Sequence, residues 1–132
     1  MKINDKDVTV KLLDSPGQER FTRLNLECCL TSDGIILVFD ITNRASFNTI
    51  RSWILNITTN SDSPIKTVLV GNKTDLEDSR VIKKKEAETI AEKYQMKYYE
   101  ISSKDNKGID ELIESIVSDI INEREKKWKN NI

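Results

Sequence analysis

The sequence predicts an α/β protein in which a parallel sheet carries helices on both faces. Three observations predict it. Gly34-Ile35-Ile36-Leu37-Val38-Phe39 and Thr67-Val68-Leu69-Val70 are short continuous apolar runs, the composition of strands covered on both sides. Apolar residues at helical spacing follow each run, so strands and helices alternate. Polar loops stand at the strand ends, and in such sheets ligands bind beyond the carboxyl ends of the strands.

The elements follow in order. Val8-Thr9-Val10-Lys11-Leu12-Leu13 reads as a strand entered through the polar turn Asn4-Asp5-Lys6-Asp7. Cys28 and Cys29 read as packing residues on a short helix. After the Gly34 run, Phe47, Ile50, Ile54 and Ile57 recur at helical spacing, with Asn43 or Ser46 as the cap. Asn60-Ser61-Asp62-Ser63-Pro64 is a loop, and the Thr67 strand beyond it ends at Gly71. A polar loop through Arg80 leads to a helix carrying Ala87, Ile90, Ala91 and Tyr94, then to a strand over residues 96–101. In the last helix Ile109, Leu112, Ile113, Ile116, Val117, Ile120 and Ile121 keep one apolar face.

Composition narrows the function classes. At 132 residues with a formal net charge of −1, the chain is read as one domain with no electrostatic drive toward nucleic acid or an anionic membrane. No apolar run approaches membrane-spanning length, and the polar N-terminus does not read as a signal peptide. There are no histidines, which excludes His general acid–base catalysis and His metal ligation within this sequence. The two cysteines are adjacent, so a disulfide framework is not expected and a reducing, cytoplasmic setting fits.

Three loops carry the chemistry. Asp14-Ser15-Pro16-Gly17-Gln18-Glu19-Arg20-Phe21 places a carboxylate, a glycine and a glutamine at one strand end, a set suited to a metal–phosphate site. Asn72-Lys73-Thr74-Asp75 follows the second buried strand and suits a purine edge. Its carboxylate can accept two hydrogen bonds from adjacent N–H donors, which guanine offers and adenine does not. Ser102-Ser103-Lys104 follows the next strand.

In this order and at these strand ends, the three loops resemble the later nucleotide-binding loops of Ras-superfamily small GTPases, and Gln-Glu-Arg-Phe is most similar to the Rab branch. Asp40-Ile41-Thr42, Ser46-Phe47-Asn48 and Trp53 extend the resemblance, although these residues equally suit core and cap positions. The resemblance implies a P-loop NTPase-like fold, GTP or GDP as ligand and Mg²⁺ as cofactor. It assigns Asp14 to magnesium, Gly17 to sensing the γ-phosphate and Gln18 to orienting the attacking water. Asp75 would select guanine, Asn72 would brace the loop and meet the base, and the Lys73 stem would lie against the ring. Ser102 would brace Asp75, the Ser103 backbone N–H would reach the guanine carbonyl, and Lys104 would cover the other side of the base. Ser103 stands where the family usually has alanine, a swap that a backbone contact tolerates.

The chain also departs from the family. None of its four glycines is followed by lysine, so Gly-x-x-x-x-Gly-Lys-Ser/Thr is absent from these 132 residues. By comparison with the family, the sequence is expected to start near the end of the second strand, lacking the first strand, the P-loop, the first helix and the first switch. The absent strand belongs mid-sheet, so two apolar edges are expected either to close on each other or to leave the fold weak. Pro16 replaces a usual alanine, Leu13 a usual tryptophan, and Glu27-Cys28-Cys29-Leu30 a usual aromatic pair. No cysteine lies near the end of the sequence, so no prenyl anchor is expected from it.

The expected function is that of a Rab-like small GTPase incomplete at its N-terminus, a molecular switch in vesicle transport. It would be cytoplasmic or peripheral on endomembranes, with effector, exchange-factor and GTPase-activating partners. The chain alone is expected to bind and hydrolyse GTP poorly. The rival reading is a non-catalytic interaction module that presents the surface from Phe21 to Leu30.

Overall fold

The computed structural model describes residues 1–13, 23–61 and 65–131. It opens with a small hairpin, β1 (Lys2–Ile3) against β2 (Lys6–Asp7), paired antiparallel as Lys2↔Asp7 and Ile3↔Lys6. Asn4 and Asp5 both take positive φ, 51° and 62°. That is the backbone of a two-residue hairpin turn whose twist matches the strands, and Asn and Asp are the non-glycine residues that tolerate it best. Ile3 is buried, and Asn4 Nδ2 donates to Asn122 Oδ1 at 3.0 Å, so the hairpin docks on the last helix.

Helix α1 spans Arg23–Leu30. The main sheet has three parallel strands in the order β3–β4–β5: β3 (Gly34–Asp40), β4 (Lys66–Asn72) and β5 (Lys97–Glu100). Helix α2 (Arg44–Asn60) and helix α3 (Lys84–Lys93) cover one face, and helix α4 (Ile109–Asn130) covers the other. The predicted parallel sheet with helices on both faces is the one observed. Alternation along the strands explains how the sheet serves both layers, with Ile36 of β3 packed on the α4 side between Ile35 and Leu37 on the other. Ile35, Leu37 and Phe39 join Phe47, Ile50, Ile54 and Ile57 of α2 and Ala87 and Ala91 of α3, while Val68 and Val70 of β4 meet Leu112, Ile116 and Val117 of α4.

Local chemistry fixes the helix starts. Asn43, rather than Ser46, caps α2: its side chain accepts the Ser46 N–H, and Ser46 Oγ donates to the Asn43 carbonyl at 2.8 Å. Gly108 precedes α4 at φ +80°, and an added Cβ would stand 3.1 Å from the Glu100 carbonyl oxygen. Both facts favour glycine there.

Some boundaries differ from the sequence reading. β4 continues through Gly71 to Asn72, Tyr94 lies just past the end of α3, and β5 covers only Lys97–Glu100. The larger correction concerns residues 8–13, which form no strand. A period-two pattern gives a strand only where a neighbour supplies the ladder. The first of these residues exchanges backbone bonds with Met1 (Val8 N to Met1 O, 2.8 Å), and none of residues 8–13 pairs with β3. Val8 packs against the α4-side core, but Leu12 and Leu13 are each 69% exposed, so beyond Val8 the alternation finds no core. The two apolar edges therefore do not close on each other. β3 is an edge strand among the described residues, with Val38 exposed on the face of α4.

Candidate functional site

The carboxyl ends of β3, β4 and β5 lie side by side, with Asp40 in register with Asn72 and Gly71 in register with Glu100. Two loops leave this edge and are laced together. Thr74 N–H and Thr74 Oγ1 both donate to the Ile101 carbonyl, at 3.2 and 3.1 Å. Ser103 donates from its backbone N–H (3.0 Å) and its hydroxyl (3.2 Å) to Asn72 Oδ1. Ser102 Oγ donates to Asp75 Oδ1 at 2.8 Å and accepts the Asp105 N–H at 3.1 Å. Ser102 is 1% exposed, so these bonds are shielded from water.

Each side chain has a local cause for its place. Asn72 is the last residue of β4, and its Oδ1 accepts both Ser103 bonds. Lys73 breaks the strand by adopting φ +72°, a conformation uncommon outside glycine, and a short 3₁₀ turn over Thr74–Ser79 carries Asp75. The Lys73 ammonium lies 2.9 Å from Asp40 Oδ2, while Asp40 Oδ1 accepts the Thr42 N–H (2.8 Å) and hydroxyl (2.6 Å). Burial alone would raise the Asp40 carboxyl, but the hydrogen bonds from Thr42 and Lys73 outweigh it and hold Asp40 below the usual carboxylate range. The same contact raises Lys73, so the pair stays charged. Asn106 at φ +52° turns the second loop back, and Ser102 exchanges backbone bonds with Lys107 at 3.0 and 2.9 Å. Lys104 is exposed at its tip.

The structure thus brings Asn72, Lys73, Asp75, Ser102 and Ser103 into one cluster at the strand ends, with Lys104 beside it. Asp14, Gly17 and Gln18 lie outside the described residues. Among the described residues, no group of three or more Asp, Glu, Cys or His side chains is arranged to hold a metal ion.

Sequence reasoning missed the tightest polar group near the site. Arg80 makes fork-to-fork contacts with two carboxylates: Nε and one terminal nitrogen each 2.8 Å from the Glu77 oxygens, and both terminal nitrogens 2.9 Å from the Glu100 oxygens. Tyr98 Oη donates to Glu100 Oε2 at 2.6 Å. Burial would raise Glu100, yet the bonds from Arg80 and Tyr98 lower it below its ordinary value, and burial together with Glu100 pushes the Tyr98 phenol well up. The available signal was a glutamate at the end of an otherwise half-buried strand, directly before Ile101-Ser102.

Comparison with known proteins identifies the family. A family model described as the Ras family matches residues 1–122. "GTP-binding protein yptV2" of Volvox carteri is 36% identical over 129 residues, 97% of this chain and 59% of that protein. "Ras-related protein RAB1BV" of Beta vulgaris is 35% identical over 121 residues, 91% of this chain and 56% of the relative. "Ras-related protein Rab-8B" of Homo sapiens is 31% identical over 131 residues, 99% of this chain and 63% of the relative. The chain therefore spans about three fifths of the length of these curated relatives.

Proposed function

Because this chain belongs to the Ras family and is Rab-like, we propose that the laced loops at the ends of β4 and β5 bind the base of a guanine nucleotide. One observation carries the reading: the Asp75 carboxylate is held by the buried Ser102 hydroxyl at 2.8 Å, which leaves its other oxygen for a ligand. Guanine presents an adjacent pair of N–H donors to such a group and adenine presents no such pair, so accepting the wrong base costs about 1–3 kcal/mol or more. The Ser103 N–H, assigned to the guanine carbonyl, also donates to Asn72 Oδ1 at 3.0 Å, which holds it at the edge of the cluster. Lys73, tethered to Asp40, and Lys104 supply stems for the two faces of the ring.

In the complete family form the site would take GTP, with Asp14 holding Mg²⁺ through water and Gly17 meeting the γ-phosphate. Bound there, the ion would offset phosphate charge. Gln18 would orient the water that attacks the γ-phosphorus, and the bond to the bridging oxygen would break, with GDP leaving. The process implied is switching in vesicle transport, at endomembranes, with effectors, exchange factors and GTPase-activating proteins as partners. The 132 residues contain no lysine placed after a glycine to meet the phosphates, so hydrolysis by this chain alone is expected to be negligible. No described helix is long and apolar enough to cross a membrane.

The test is a calorimetric titration of the chain with GDP and ADP, for wild type and Asp75→Asn. GDP should bind more tightly than ADP, and the variant should lose at least about tenfold in that preference. Equal affinities for the two nucleotides in wild type would sink the reading. A second reading, a non-catalytic interaction module, is favoured by the exposed apolar surface of Val10, Leu12, Leu13 and Val38. It requires capture of family partners without nucleotide.

A further inference from the structure

The polar contacts beside the site form a closed circuit. Asp75 meets Ser102 directly, at 2.8 Å. Two residues after Asp75 stands Glu77, and two residues before Ser102 stands Glu100. The Arg80 guanidinium joins those two carboxylates, each through a pair of bonds of 2.8–2.9 Å. Its third role closes the remaining gap: a terminal nitrogen donates to the Ile82 carbonyl at 3.0 Å, which seats Arg80 on the loop bound to the end of β3. Asp75 and Ser102 are thus held at one separation by a planar fork that acts on both flanks.

We propose that Arg80 is a positioning residue for base recognition, fixing the Asp75 carboxylate against Ser102 so that its free oxygen meets the guanine edge. This rests on the reading of the loops as a guanine site. Three features mark the circuit as more than surface charge. Arg80 and Glu100 side chains are 14% and 19% exposed, so their geometry is screened little by solvent. Glu100 is further fixed by the Tyr98 hydroxyl, and that phenol stacks on Phe39 of the core at 6.1 Å between ring centroids. The 3₁₀ turn has no buried residue of its own, so nothing apolar anchors the segment that carries Asp75. A loop without an apolar anchor takes its position from its polar ties.

Lysine cannot replace this arginine, because one ammonium lacks the fork that engages two carboxylates at once. The experiment uses the full chain and two nucleosides, which need no phosphate site. Guanosine and inosine differ by the exocyclic amine, one of the two donors that Asp75 would accept. Their affinities are measured by amide chemical shifts in wild type, Arg80→Lys and Glu77→Gln, with melting curves for each. Wild type should prefer guanosine by about tenfold or more. Arg80→Lys should cut that preference at least about threefold, weakening guanosine, which gives Asp75 two donors, more than inosine, which keeps one. Glu77→Gln removes one arm at an exposed position and should cut it by less; it carries the test if Arg80→Lys does not fold.

A merely structural role would lower the melting temperature and weaken both nucleosides alike, and that result overturns the proposal. So does an unchanged preference in a folded Arg80→Lys chain, which leaves the guanine reading intact. A wild-type chain that binds neither nucleoside overturns the guanine reading first, and the role of Arg80 with it.

Discussion

Substituting Gly71 with alanine isolates the packing behind the site. Gly71 lies in β4, its φ is not positive, and alanine there should gain about 0.4–1 kcal/mol by narrowing the unfolded ensemble. Against that gain stands a collision. The new Cβ would sit 2.5 Å from Tyr98 Oη, 3.0 Å from Ile41 Cγ2 and 3.2 Å from Phe39 Cζ. None of the three can step aside freely: Ile41 and Phe39 are buried at 0% and 2% exposure, and Tyr98 is both stacked and bonded to Glu100. Overpacking of this kind costs about 1–3 kcal/mol, and displacing the Tyr98 hydroxyl adds roughly 1–2 kcal/mol for a bond to a charged group. The clash wins, and Gly71→Ala should lose about 2–4 kcal/mol net. Tyr98→Phe removes the atom in the way. In urea unfolding of the four proteins of the cycle, the double variant should be more stable than the sum of the singles by at least about 1 kcal/mol. Strict additivity would refute the account, because it would mean that the phenol and the absent side chain do not share this space.

Two further outcomes follow from the same contacts. Ser102→Ala strips a buried donor from Asp75 and an acceptor from the Asp105 N–H, so it should cost about 1–3 kcal/mol. In a thermal melt that is a drop of roughly 3–5 °C per kcal/mol, and an unchanged midpoint would contradict it. The second concerns pH. Glu100 is lowered by its partners in the folded state, so it binds its proton less readily there than when unfolded. Its stabilisation is present above its ordinary value of 4.5 and disappears as pH falls through the lower folded value. Midpoints measured on acidification should therefore fall more steeply for wild type than for Glu100→Gln. Parallel curves would rule out the Arg80 and Tyr98 contacts as the cause.

How much of this was legible in the chain divides along the range of the interactions. β3, β4, α2 and α4 could be read because apolar runs and a 3.6-residue period are local records of burial. The cluster of Asn72, Lys73, Asp75, Ser102 and Ser103 was legible for the same reason, since each loop is a short motif set just after a strand. Residues 8–13 were misread because alternation records only which side chains would share a face. Whether a ladder exists depends on another segment, and among the described residues none supplies it. The Arg80 circuit escaped entirely. Arg80 and Glu100 stand 20 positions apart, and in a chain with 21 basic and 22 acidic residues nothing local says which charges will meet.

That difference in range also separates what the loops are from how well they work. Asp75 brings the right chemical group, and its place after β4 follows from the strand run and the Lys73 break. Its direction does not follow from either, because the 3₁₀ turn buries nothing and takes its position from polar ties, those of Thr74 to Ile101 among them. Direction comes from Ser102 on one side and from the Glu77–Arg80–Glu100 linkage on the other, both of which span the two loops. Any substitution that spares Asp75 but slackens those ties should therefore keep the chemistry and lose the selectivity. If the loops hold guanine as proposed, Asp75 would provide the contact, and Ser102, Glu77, Arg80 and Glu100 would decide which base can use it.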